Sequence, residues 1–161
     1  MRVVRRALIG LAIVAAVVGG LSVVARFSDG PLGPFPGGKM TGEMVREPVG
    51  DWSAVLAGAN RLELEVNPSA PRSVTTTFLL HDGVLYVPSV LAAHKSWPAQ
   101  VVADGRVVVR VRGRLYERHA VRVTDPAEIR ALAREWDPKT PDDLDVSSLS
   151  TWYFRLEPRA P

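Results

Sequence analysis

Nineteen consecutive uncharged residues, ALIGLAIVAAVVGGLSVVA from Ala7 to Ala25, constrain this 161-residue chain more than any other feature. A helix needs ~20 apolar residues to cross the hydrocarbon core, and this run has no polar face with which to lie on a soluble core. Arg2, Arg5 and Arg6 precede it and only Arg26 follows. That asymmetry predicts a single-pass membrane protein with a cytoplasmic N-terminus and the rest of the chain on the outer, periplasmic or extracellular, side. The apolar region of a signal peptide usually runs ~7–15 residues, so the length favours an uncleaved anchor over residues 1–26, with Val23-Val24-Ala25 as the cleavage site of the rival reading.

The arginines of the anchor also account for the basic character of the chain. Of its 20 Lys and Arg, four lie in the first 26 residues, which hold no acid, leaving 16 against 17 Asp and Glu in the remainder. A nearly neutral domain has no electrostatic footprint for nucleic acid. There is no cysteine, so disulfides and thiolate metal sites are excluded. The three histidines, His81, His94 and His119, have no HExxH spacing and no acid-rich neighbourhood, which argues against a metal hydrolase. GxSxG, GxGxxG and GxxxxGK[ST] are likewise missing, and no residue is assigned a catalytic role.

Beyond the anchor, residues 27–47 are rich in Gly and Pro and predict an extended linker to a domain over 48–161. Within that domain Asp51 predicts the N-cap of a short helix over 52–57, and Leu62, Leu64 and Val66 alternate as a strand. Two β-rich runs meet at Asp82-Gly83, a hairpin signal. A short helical piece opened by Pro98 leads to strands over 106–111 and 114–123 that turn at Gly113. In the first of these, Val107, Val109 and Val111 form the face to be buried, while Arg106, Arg110 and Arg112 form a solvated one. Asp125, Pro126 and Glu128 open a helix whose apolar residues Ile129, Leu132 and Trp136 recur at helical spacing. A last strand follows over 151–157. Antiparallel strands with short connections and few helices point to an α+β domain, mainly β, as a small barrel or sheet.

The residues with chemical potential are distributed. Arg72, Ser73, Thr75 and Thr77 share one strand, with the three hydroxyls on one face; Ser89 ends the hairpin partner; Lys95, Ser96 and Trp97 follow. Thr and Ser in a strand suit either a solvent face or the lining of a site. Hydroxyls beside an ammonium suit a phosphate, which needs convergent donors and a cation but no nucleophile. They also suit an ordinary polar connection.

The segments PRSVTTTFLLHDGVLYVPS, AAHKSWPAQVVADGRVVVRV and GRLYERHAVRVTDPAEIRAL, in that order, resemble the split β-barrel superfamily of pyridoxamine 5'-phosphate oxidase-like flavoproteins, which includes deazaflavin-dependent nitroreductases. The resemblance implies a small antiparallel split β-barrel with short helices, assembled as a homodimer with FMN or a deazaflavin between the subunits. Carried over by position, it implies that Arg72, Ser73 and Thr75 lie along the isoalloxazine or ribityl chain. Ser89, Lys95 and Ser96 would hold the phosphate, with Trp97 packed beside the site. The activity implied is that of an oxidoreductase acting on a quinone-like or nitro-aromatic acceptor. The alternatives are a non-catalytic, membrane-anchored binding or accessory module and, from a haem-binding branch of the same superfamily, His94 or His119 as an iron ligand. The topology has its own check: a reporter active only in the cytoplasm, fused after Pro161, is expected to be silent, and activity there would overturn the orientation.

Overall fold

The computed structural model describes residues 2–159. An isolated helix, α1 (Arg2–Arg26), precedes a sheet of eight strands: β1 (Glu43–Met44), β2 (Leu62–Val66), β3 (Arg72–Thr76), β4 (Leu79–His81), β5 (Val84–Ser89), β6 (Arg106–Val111), β7 (Arg114–Arg122) and β8 (Trp152–Pro158). Three shorter helices, α2 (Trp52–Leu56), α3 (Ser96–Ala103) and α4 (Pro126–Trp136), pack around it. The strand order is β3-β2-β6-β7-β8-β5-β4, every neighbouring pair antiparallel, with β1 added in parallel to β7. The sheet is an antiparallel half-barrel, as the strand pattern and the resemblance both led one to expect.

The core follows from strand alternation. Val107, Val109 and Val111 are buried, and they form one core with Leu62, Leu64 and Val66 of the neighbouring β2 and with Leu85, Val87, Phe154 and Leu156. Both predicted hairpins turn through paired left-handed residues, Asp82-Gly83 at φ 50° and 74° and Arg112-Gly113 at φ 51° and 77°. That is the backbone a tight two-residue connection requires, and Gly tolerates it best. α4 begins where expected: Asp125 accepts a hydrogen bond from the Glu128 amide at 2.8 Å, and Pro126 fills the first turn. Its Leu132 packs with Tyr86, Val123 and Tyr153 on the outside of β5 and β8. Tyr86 donates to Glu128 at 2.9 Å, and Arg155 reaches the same carboxylate at 3.1 Å, so the packed face ends in a satisfied polar cluster. Burial, with the neighbouring Glu128 second, pushes the Tyr86 hydroxyl above its ordinary range.

α1 has no such packing. Its stretch Val4–Arg26 is long and apolar enough to cross a membrane, and none of it is buried against the domain except at the very end.

The segment 27–47 differs from the extended linker its composition suggests. It folds back onto the outer face of β2, β3 and β6. Ala25 is fully buried, and the Arg26 guanidinium donates to the Pro71 carbonyl at 2.6 Å. Gly37 pairs with Ser73 as a strand would, with N–H to O distances of 2.8 and 3.1 Å. The Met40 amide donates to the buried carboxylate of Glu65. A Cβ at Gly37 would collide with the Gly30 carbonyl, and one at Gly38 would come within 2.6 Å of the Arg26 carbonyl. The glycines therefore permit close backbone approach rather than looseness.

The interior side of β8 links core to surface, because Phe154 packs against Trp97 of α3 with ring centroids 5.4 Å apart. Phe154→Ala should lower stability by about 3–5 kcal/mol, read by denaturant unfolding of the full chain in detergent. A loss below about 1 kcal/mol would mean that the interior rearranges to fill the gap.

Candidate functional site

β3 is an edge strand, and only its first residues are covered by the Gly37 segment. Beyond that cover its free end opens into a cleft of about 720 Å³, within the size range of small-molecule sites. One wall is β3 itself, Val74 to Thr76, with Arg61 just ahead of β2. The opposite wall is His94, Lys95, Ser96 and Trp97, where a single 3₁₀ turn (Ala92–His94) runs into α3. The third wall is the tip of the N-terminal segment, Gly33 to Pro36.

The chemistry of this lining is one-sided. It holds Arg61 and Lys95 with Thr75, Thr76 and Ser96, and no carboxylate. Glu63, which faces Thr75 in the β2–β3 register, is taken up by Arg110 on β6. Arg110 also reaches Asp29 at 2.7 Å, and Asp29 in turn accepts from the Thr41 amide and hydroxyl, both at 2.7 Å. Those two bonds from Thr41, ahead of Arg110 itself, hold the Asp29 carboxyl below the usual carboxylate range. Arg110, expected on a solvated face, is mostly buried and clasps the N-terminal segment to the sheet.

The end of α3 facing the cleft departs from the other helices. α2 and α4 open on aspartates that cap them, Asp51 toward the Ser53 amide and Asp125 toward the Glu128 amide, each at 2.8 Å. α3 opens on Lys95, whose side chain caps nothing. The unpaired N–H groups of a first helical turn carry partial positive charge, so a lysine there adds like charge to like. The arrangement suits an anion placed between Lys95, Ser96 and Arg61.

Of the seven residues singled out from the sequence, Thr75, Lys95, Ser96 and Trp97 line this cleft. Trp97 contributes through one edge, since the ring is largely buried. The other three lie elsewhere. Ser73 is fully buried, its hydroxyl donating to the Gly38 carbonyl at 2.8 Å. Ser89 is also fully buried at the end of β5, and its hydroxyl has no hydrogen-bond partner. Arg72 begins β3 opposite Val66, outside the cleft lining. Ser73 and Thr75 do share the expected face, but the Gly37–Gly38 backbone covers the first and leaves the second exposed. Sequence reasoning missed Arg61, Thr76 and the Gly33–Pro36 wall. Arg61 stands one residue before a strand that was recognised, but nothing local marks it as turned toward β3. Of the histidines, His94 lines the cleft and His119 stands outside it on β7.

A second cleft of about 980 Å³ lies beside Trp52, where Arg106, Arg118 and Arg159 mix with Glu47 and Glu117. Arg118 lies over the Trp52 ring at 4.9 Å, and burial lowers its pKa. With Arg46 the cleft's four arginines outnumber its two glutamates, but unlike the β3 cleft it carries carboxylates of its own, and Glu117 pairs with Arg159 at 3.4 Å.

No family model matches the chain, and no curated protein matches it. Solved structures do. A candidate pyridoxamine 5'-phosphate oxidase from Listeria innocua aligns with 66% of this chain and 90% of its own, at 20% identity and a TM-score of 0.51. The fold is the split β-barrel of the pyridoxamine 5'-phosphate oxidase-like proteins. An Agrobacterium tumefaciens protein of unknown function aligns with 66% of this chain and 51% of its own, at 18% identity and a TM-score of 0.50. A NimC/NimA family protein from Clostridium acetobutylicum aligns with 63% and 76%, at 17% identity and a TM-score of 0.48.

The split barrel therefore holds Ser73 as a fastening of the N-terminal segment. Ser73→Ala leaves the Gly38 carbonyl buried without its donor and should cost about 1–3 kcal/mol in denaturant unfolding. Ligand affinity of the folded variant should be unchanged; a selective loss of ligand with unaltered stability would instead return Ser73 to the site.

Proposed function

We propose that this split barrel binds a phosphate-bearing flavin-type cofactor, FMN or a deazaflavin, in the β3 cleft and serves as a membrane-anchored oxidoreductase. The observation that carries the reading is the donor set. Arg61 and Lys95 line the cleft together with Thr75 and Thr76 of β3 and Ser96 at the start of α3, with no carboxylate in the lining. Charge-assisted hydrogen bonds from such groups are among the strongest a protein makes to phosphate. The residues present thus fit the anionic end of the cofactor, and Val74, Phe35 and the edge of Trp97 offer apolar surface beside it. When bound, the cofactor supplies the hydride chemistry, so a cleft without a nucleophile–base pair is consistent with the role.

Several further features belong to the same proposal. The split-barrel resemblance supports a homodimer whose second subunit borders the cleft. The apolar helix α1 supports anchoring through residues 7–25, and the arginines ahead of it support a cytoplasmic N-terminus with the domain outside. Anchoring in turn favours an acceptor that partitions into the membrane, quinone-like or nitro-aromatic.

The phosphate role is open to direct measurement. The full chain in detergent, titrated with FMN and with riboflavin while flavin fluorescence is followed, should prefer FMN. Lys95→Ala or Arg61→Ala should weaken FMN by about tenfold or more, the worth of a hydrogen bond to a charged group, and leave riboflavin nearly unaffected. A deazaflavin and its dephosphorylated form make the same comparison. Equal loss for both forms would remove these cations from the phosphate, and a protein that takes up neither cofactor would favour a non-catalytic binding module.

A further inference from the structure

The N-terminal segment has a shape that the anchor and the cleft do not by themselves explain. Residues 28–38 form a closed hairpin: the Gly38 amide donates to the Ser28 carbonyl at 3.2 Å near its base, and Leu32 and Phe35 exchange backbone hydrogen bonds of 3.0 and 3.1 Å at its tip. The base adjoins the end of α1, where Ser28 bonds back to the Ala25 carbonyl through both its amide and its hydroxyl. The tip is a wall of the β3 cleft. One short rigid element therefore joins the end of the apolar helix to the candidate site.

The hairpin also exposes apolar surface where a soluble protein would not place it. Phe27 is 85% exposed and Leu32 is 46% exposed, continuing the exposed apolar surface that α1 presents through Val23 and Val24. Leu32 is four residues beyond Ser28, at most ~13 Å of extended chain. The interfacial layer of a bilayer is about 5–8 Å deep on each side of the hydrocarbon. Even fully extended that reach passes the layer by only about 5–8 Å, and a closed hairpin reaches less, so its tip stays close to the layer in which the helix end sits. Burying large apolar side chains at this depth is favourable, as it is for amphipathic elements that lie in the interface.

We infer that the 27–38 hairpin is a second membrane contact: the bilayer surface is the partner of Phe27 and Leu32, and seating them holds the Gly33–Pro36 wall of the cleft at the headgroup layer. The inference rests on the reading of α1 as a membrane span. Asp29 and Arg110 fasten the hairpin from the side of the sheet, so the domain is carried against the membrane rather than tethered above it.

Because the chain has no cysteine, single labels report on each point separately. Val14→Cys, Phe27→Cys, Leu32→Cys and Asp82→Cys, each carrying an environment-sensitive fluorophore, are placed in the full chain in phosphatidylcholine–phosphatidylglycerol vesicles. Quenching by nitroxide lipids is then compared with quenching by aqueous iodide. The expected result is lipid quenching at 14, 27 and 32 with blue-shifted emission, and iodide quenching at 82 on the tip of the β4–β5 turn. Lipid quenching at 14 with iodide quenching at 27 and 32 overturns the hairpin's seating alone. Iodide quenching at 14 overturns the membrane reading on which it rests. Protection at 32 that persists in lipid-free detergent and is lost on dilution means that a second copy of the chain covers the hairpin, which also overturns the inference.

Discussion

Arg110 joins two parts of the molecule that would otherwise be independent. It projects from the outer face of β6, pairs with Glu63 across the strand, and reaches Asp29 and the Thr41 carbonyl in the N-terminal segment. Glu63, followed by Asp29, raises the Arg110 pKa further above its already high value, so the cation is present throughout the pH range of the folded protein. A partly exposed ion pair on its own contributes little. Here the planar guanidinium serves several acceptors at once, and the same segment also satisfies buried Glu65 through the Met40 amide. Leaving that carboxylate covered without a donor would be costly. The N-terminal segment thus works as an additional layer over β2, β3 and β6, and it closes one side of the cleft as a consequence.

What the sequence made legible and what it hid divide along a physical line. Local rules placed most elements. Alternation set the buried face of β6, Asp-Gly and Arg-Gly set two hairpins, and Asp125 with Pro126 set α4 to the residue. These signals are decided within a few residues of themselves. Non-local cover was not legible. Residues 27–47 read as a loose linker because Gly and Pro have the same composition in a flexible chain as in one packed backbone to backbone. Arg110 read as solvated because alternation says which face it occupies but not what lies on that face. The same division runs through the candidate site: Ser73 and Thr75 share one face, yet Gly38 covers the first and the second lines the cleft. Ser89 was placed beside Lys95 by proximity in sequence, whereas it ends β5 as a buried residue opposite Trp152.

The start of α3 is the point where stability and function pull apart. Asp, Asn, Ser or Thr at a helix N-cap is worth about 1 kcal/mol, and this chain uses that device at α2 and α4. At α3 it uses Lys95 instead, which forgoes the cap and brings a cationic residue to the positive end of the helix dipole. Trp97 and Phe154 hold the helix in place from below, so packing supplies the order that capping would have supplied. A helix start that is fixed by its buried side and left electrostatically unsatisfied on its open side is preorganised for an anion. An anion bound there would offset that charge, which is why the proposed phosphate role carries an expected preference for a charged ligand over its neutral counterpart.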